Sequence, residues 1–311
     1  MIDDFLGQNA SHSCTFGIAG MGLKALTKRQ SGVKLAVVLL GGFEVLSALH
    51  EMRFVIISQP RTGSTHLVTR LNGHPEILCN GEIFNTQAIY LRWPDSAISP
   101  SVLSDLQRKR RSDPHAFLED MFATAFGRRH VGFKIFESHN RSILEHVIDT
   151  HDVQKIILYR SNILANYSSM RIARASKTWK LKRGDRPATT VVQLVEFDLA
   201  EFVRFHNKYV GFYARVIERL NETSQPFFLI RYDELNDDHI FASLVRFLGA
   251  NGNEIHPRSA ESKQNASDIL SRFSNPQTVA EFLDSRNLMH WRNEGELSLL
   301  PLQDDAPAST G

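Results

Sequence analysis

FVIISQPRTGSTHL, residues 54–67, decides how this chain is read. An apolar run from Phe54 to Ser58 stops abruptly at Pro60-Arg61-Thr62-Gly63-Ser64-Thr65, and a helical pattern follows from Thr65 to Asn72. A short run of β-branched and aromatic residues is what a strand covered on both faces requires. In a strand–loop–helix unit, the loop N–H groups and the helix N-terminus direct positive potential at one spot, which suits a phosphate. Gly63 permits close backbone approach, Thr62, Ser64 and Thr65 supply hydroxyls, and Arg61 supplies a fixed cation. The pattern GxxxxGK[ST] is absent, and with it the phosphate-gripping lysine, which weakens an ATPase or GTPase reading. Taken alone, the loop also reads as an ordinary turn.

Outward from this stretch, strands and helices alternate. HVGFKIF (His130 to Phe136), KIILY (Lys155 to Tyr159) and PFFLIR (Pro226 to Arg231) read as further strands. Ile163 to Arg174 and His239 to Leu248 read as helices. Val191 to Leu220 is the longest periodic segment, with Phe202, Phe205, Tyr209, Phe212 and Val216 on one face; aromatic residues at that spacing pack against a sheet more often than they line a pocket. The pattern predicts a three-layer α/β/α domain over residues 52–302, built on a central parallel sheet with a P-loop-like phosphate-binding loop. Residues 1–51 form an N-terminal extension, and 303–311 a polar tail expected to be disordered. Two polar stretches, Lys177 to Thr190 and Asn251 to Ser271, read as mobile loops.

Composition excludes several classes. The 311 residues are 42% apolar and 23% charged, as in an ordinary globular protein, and a net charge of +2 argues against a nucleic-acid surface. Two cysteines make no disulfide framework, and no Cys/His cluster has metal spacing. Leu35 to Phe43 is apolar but falls short of the roughly 20 residues a membrane-spanning helix needs. No convincing signal-peptide cleavage site follows it. Few cysteines favour a cytoplasmic protein, and contact with a membrane surface and homo-oligomer formation are left open.

A second constellation follows the KIILY strand. Arg160 stands at the strand end, and Ser168 falls eight residues later, in the second turn of a helix beginning near Ile163. In an open parallel sheet, ligands bind at the carboxyl ends of strands. Two phosphate grips at two such ends imply a ligand with two separate phosphates. Together, PRTGSTHL and YRSNILANYSS resemble the sulfotransferase family, whose donor is 3'-phosphoadenosine 5'-phosphosulfate (PAPS). NGEIFN (80–85) and VGFKIFESH (131–139) resemble its bacterial carbohydrate branch, of the nodulation-factor type. The chain departs from the cytosolic branch, which usually has Arg-Asn-Pro where Arg160-Ser161-Asn162 stands here.

The resemblance covers about residues 52–290 and carries roles with it. Arg61, Thr62, Gly63, Ser64, Thr65 and His66 match the 5'-phosphosulfate loop, and Arg160 and Ser168 the 3'-phosphate motif. Lys263 and Gln264 stand where the family closes a basic loop over the nucleotide. The implied reaction is sulfuryl transfer to a hydroxyl, without a metal and most plausibly on a carbohydrate or glycolipid. Glu82 is the expected base and His139 its rival. Lys134 reads either as a contact to the sulfonate or leaving group, or as a structural lysine. Two rival readings are a P-loop-like nucleotide kinase and a non-catalytic nucleotide-binding scaffold. The sequons Asn166-Tyr167-Ser168 and Asn265-Ala266-Ser267 fall inside expected donor segments, where a glycan would obstruct the nucleotide; this too favours the cytoplasm.

Overall fold

The computed structural model describes residues 52–176, 193–252 and 267–293. Elements follow in the order β1 (Met52–Ser58), α1 (Ser64–Asn72), β2 (Ile77–Asn80), α2 (Pro100–Ser112), α3 (Pro114–Ala123), β3 (His130–Phe136), α4 (Arg141–Asp149), β4 (Val153–Tyr159), α5 (Ile163–Ser176), α6 (Leu199–Glu222), β5 (Phe227–Arg231), α7 (Asp238–Phe247) and α8 (Pro276–Ser285), with short 3₁₀ turns between some of them. The described chain divides into two compact units. One holds residues 52–159, 211–230 and 234–252; the other holds 160–176, 193–210, 231–233 and 267–293.

The first unit carries the sheet, in the order β2-β3-β1-β4-β5. β1 pairs in parallel with β3 on one side and with β4 on the other. β2 pairs in parallel with β3. Chain order runs to one side of β1 and then to the other, so the loop after β1 leaves the sheet where the strand order reverses, the place at which open α/β sheets bind ligands. Phe54, Val55, Ile56 and Ile57 are fully buried, and every residue of β3 is buried, as strands flanked by strands require. Gly132 lies opposite Phe54, and a Cβ there would meet the Phe54 ring at 2.5 Å, so this position needs glycine.

Caps mark where helices begin. Ser99 Oγ accepts from the Val102 N–H and Pro100 opens α2, while Asp113 caps α3 in the same way ahead of Pro114. Asn140 caps α4, accepting from the Ile143 N–H at 3.1 Å. All three helices, together with the four-residue strand β2, lie outside the elements the sequence reading recognised. Strand β2 is too short, and too mixed in composition (Ile-Leu-Cys-Asn), to stand out as a periodic run.

The long periodic helix begins later than expected. Residues 193–198 are not helical, and Val195 instead bridges to Phe273. Helix α6 starts at Leu199, because Asp198 accepts the Glu201 N–H at 2.8 Å and ends the non-helical approach. The aromatic stripe is packing: Phe202 and Tyr209 are buried in the second unit, and Phe212 and Val216 in the first. Among the described residues no helix is long and apolar enough to cross a membrane.

Candidate active site

The loop after β1 is shaped by two left-handed residues. Gly63 has φ 80°, and Arg61, without glycine's freedom, has φ 66°. A non-glycine residue there costs on the order of 1 kcal/mol, so the fold holds this turn against a local penalty. Thr62 is fully buried, and its hydroxyl donates to the Gln59 carbonyl at 2.8 Å. Gln59 in turn donates its N–H to the Tyr213 hydroxyl at 3.0 Å, and that hydroxyl donates to the Leu158 carbonyl at 2.7 Å. Tyr213, a residue of α6 absent from the sequence reading, thus ties together the ends of β1 and β4. Helix α1 opens with Gly63 as N-cap, no side-chain cap and no acid in its first turn. Helix geometry leaves its first N–H groups without intrahelical acceptors, beside the hydroxyls of Ser64 and Thr65.

Lys134 lies against this turn. It sits on β3 opposite Ile56, is 2% exposed, and donates to Thr65 Oγ1 at 2.8 Å and Ser64 Oγ at 3.3 Å. The same ammonium lies 3.1 Å from Glu82 Oε1. A buried lysine demands such partners, because burying an unpaired charge is expensive. The Lys134 ammonium finds those partners in Ser64, Thr65 and Glu82.

Glu82 is the centre of a dense set of contacts. Besides Lys134, it accepts from the Asn85 side-chain amide at 2.7 Å, and its Oε2 lies 3.4 Å from His139 Nε2. Burial pushes its carboxyl up, but His139, Lys134 and Asn85 outweigh that and hold it well below the usual carboxylate range. His139 is buried at the end of β3, and its Nδ1 accepts the Phe136 N–H at 3.3 Å. With Nδ1 used as acceptor, a neutral ring carries its proton on Nε2 and donates it to Glu82. The two candidate bases are therefore hydrogen-bond partners, with His139 donating and Glu82 accepting. His66 turns elsewhere, its Nε2 lying 2.9 Å from Asn236 Oδ1.

The Glu82 segment is itself tightly folded. Gly81 donates its N–H to the Tyr90 carbonyl at 2.8 Å, and a Cβ on Gly81 would stand 2.9 Å from the Tyr90 Cβ. Only glycine fits there, so the residue before Glu82 is set by close backbone approach.

In the second unit, Arg160 directly follows β4 and is 5% exposed. Its guanidinium stacks 4.4 Å from the Tyr232 ring, and its N–H donates to the Tyr209 hydroxyl at 2.8 Å. Asn162 caps α5, accepting from the Ala165 N–H at 2.9 Å while donating to the Trp291 carbonyl. The helix start that proline provides in Arg-Asn-Pro is here provided by an asparagine cap. Ser168 is fully buried in the second turn of α5, where the spacing placed it, and donates to the Ala165 carbonyl at 3.1 Å. Asn166 of the first sequon is also fully buried, so the folded helix does not present it for glycosylation.

Arg272 completes this cluster and is absent from the sequence reading. It is 2% exposed and donates to Ser168 Oγ at 3.1 Å. Burial, and next the charge of Arg160, bring its guanidinium down to about 10. Two buried arginines that repel one another beside a serine hydroxyl suit a strongly charged anion. The local signal was a single arginine in ILSRFSN, which no motif distinguishes. Lys263 and Gln264 lie outside the described residues.

No family model matches the chain. It is similar to nodulation protein H of Rhizobium meliloti (strain 1021), at 28% identity over 268 residues, 83% of this chain and 99% of that protein. Nodulation protein H of Rhizobium tropici is 27% identical over 234 residues, 71% of this chain and 85% of that one. Among solved structures, a sulfotransferase from Alicyclobacillus acidocaldarius overlaps with a TM-score of 0.40 at 17% identity, over 78% of this chain and 99% of that one. That superposition is too loose to bear on the site. The likeness to nodulation protein H over nearly its whole length and the PRTGST and Arg160/Ser168 motifs support the same class of enzyme, a sulfotransferase.

Proposed function

We propose that this sulfotransferase moves the sulfuryl group of PAPS to a hydroxyl of a carbohydrate or glycolipid, with Glu82 as the base. The observation that carries the reading is the buried Lys134, which touches Ser64 and Thr65 of the phosphate-type loop and Glu82 at once. One side chain therefore joins a loop suited to a phosphosulfate to a carboxylate suited to a hydroxyl. Arg61 to His66 would hold the 5'-phosphosulfate. Arg160 and Ser168 would hold the 3'-phosphate, with Arg272 donating to the same serine.

In the transfer, the acceptor oxygen bonds to sulfur as the sulfur–phosphate oxygen bond breaks. The hydroxyl proton passes to Glu82, and adenosine 3',5'-bisphosphate leaves. Such a reaction depends on positioning and charge stabilisation rather than covalent chemistry by the protein. Lys134 would neutralise charge growing on the leaving oxygen. A carboxylate held below its usual range is a weak base while Lys134 is paired with it. Lys134 turning to the bound sulfonate would raise that basicity, with His139 and Asn85 still holding the carboxylate. Support for Glu82 over His139 comes from the ring's two nitrogens, both engaged. A carbohydrate acceptor is supported by the NGEIFN stretch and by the likeness to nodulation protein H.

The test is calorimetric titration with adenosine 3',5'-bisphosphate, with AMP and ATP as controls. Tight binding of the bisphosphate and little of either control is expected, because only the bisphosphate engages both phosphate motifs. Equal or absent binding in folded protein would overturn the donor assignment, and preference for ATP would favour a kinase.

A further inference from the structure

Arg110 lies on α2, far in sequence from every motif above, yet it is 9% exposed. Its Nη1 donates to three carbonyls of one short segment: Ile83 at 3.0 Å, Asn85 at 2.5 Å and Ala88 at 3.2 Å. Those carbonyls begin immediately after Glu82. Asn85 stands in the middle of the chain of contacts, for its carbonyl accepts from Arg110 while its side-chain amide donates to Glu82 Oε2 at 2.7 Å. The same segment is closed at its other edge by Asn80, which accepts the Arg92 N–H at 3.0 Å, and by the Gly81–Tyr90 bond. An arginine buried to satisfy three main-chain carbonyls is a costly way to fold an ordinary surface loop, since burial opposes its charge. All three contacts leave one nitrogen, Nη1, whose two N–H groups are shared among the carbonyls; a lysine ammonium would end one atom short of that position.

We propose that Arg110 is a positioning residue for the transfer reaction: by gathering the carbonyls of residues 83, 85 and 88 it fixes Asn85, and through Asn85 it fixes the Glu82 carboxylate. This rests on Glu82 acting as the base. Arg110 touches neither donor nor acceptor, so its loss should leave nucleotide binding alone and appear in turnover. Small misplacements of a reacting group are expensive in rate. Asn85 also helps hold the Glu82 carboxyl low, so releasing it should raise the acid limb of the pH–rate profile.

Arg110→Lys, Asn85→Ala and the double variant test this against Glu82→Gln, with labelled PAPS as donor, chitotetraose as acceptor probe and calorimetry with adenosine 3',5'-bisphosphate. Arg110→Lys should lower kcat about tenfold or more with bisphosphate affinity within about twofold of wild type. Its acid limb should move to higher pH. Asn85→Ala should do the same, and the double variant should be no worse than Arg110→Lys alone, because both act along one chain of contacts. Folded Arg110→Lys with unchanged kcat, or additive losses in the double variant, would overturn the proposal. If Arg110→Lys does not fold, Asn85→Ala decides: an unchanged acid limb overturns it. Turnover surviving in Glu82→Gln would instead sink the base assignment. If wild type leaves chitotetraose unsulfated, the acceptor reading fails, and the variants are compared by melting between about pH 3 and 6. There the pH-linked stability contributed by Glu82 should shrink in Arg110→Lys, and an unchanged contribution overturns the proposal.

Discussion

The Glu82 cluster in the first unit and the Ser168 cluster in the second are built on different electrostatic plans. Around Glu82 the charges balance: one carboxylate meets Lys134, His139 and Asn85, and each makes contacts inside the first unit. Around Ser168 two guanidiniums, Arg160 and Arg272, are buried in the second unit; burial and then the charge of Arg160 lower Arg272, while Tyr232 and Asp268 act the other way. A balanced cluster is stable without ligand and suits moving a proton, because small displacements of one partner change the basicity of the next. A cluster that gathers two buried guanidiniums at a serine hydroxyl suits an anion. The proposed roles follow that difference, chemistry for the first and binding for the second.

The sharpest way to break this contrast is to neutralise Glu82. Glu82→Gln should cut kcat by about 10²- to 10⁴-fold, the range of a general base, while leaving the affinity for adenosine 3',5'-bisphosphate within about twofold. Steady-state kinetics beside calorimetry measure both, and a parallel loss of nucleotide affinity would blur the two plans into one. Next in size, Arg160→Lys and Arg272→Gln should each weaken bisphosphate binding about tenfold to a hundredfold, the worth of a charge-assisted hydrogen bond. AMP binding should barely change. Unchanged bisphosphate affinity in Arg160→Lys would remove it from the nucleotide site.

The smallest effect is in pH dependence. Glu82 has its carboxyl lowered from the ordinary 4.5 in the folded protein. The stability it contributes is therefore fully present above that ordinary value, and is lost as pH falls toward the folded one. Melting curves of wild type and Glu82→Gln should differ by a constant amount above about pH 5.5, and the wild type should lose ground as the pH falls below 4.5. A difference that stays flat down to pH 3 would mean that Glu82 is not held by its neighbours.

Much of the strand–loop–helix framework was readable because it is local. β1, β3 and β4 declare themselves as short apolar runs, and Arg160 and Ser168 fall where a strand end and a second helical turn put them. Strand β2 and helices α2 to α4 were not readable, since brief or weakly patterned elements take their shape from what they pack against. Tyr213 was passed over for a related reason: an aromatic on a periodic helix reads as core, and its hydroxyl's partners at Gln59 and Leu158 lie far away in sequence.

Resemblance to the sulfotransferases named Glu82, Lys134 and His139 as candidates; by itself, the sequence determined the strand–loop–helix turn at residues 60–66 and the strand end and helix that carry Arg160 and Ser168. Those signals depend on residue type and on spacing of a few positions along the backbone. Only the tertiary structure decided how they connect: that Lys134 touches both the loop and Glu82, that His139 lies within 3.4 Å of Glu82, that Arg272 donates to Ser168 and that Arg110 donates to the carbonyls after Glu82. Each of these is a contact across tens of residues or more between buried polar groups. Burial forces such groups to find partners, but only the packing of the whole chain selects which partner each one finds.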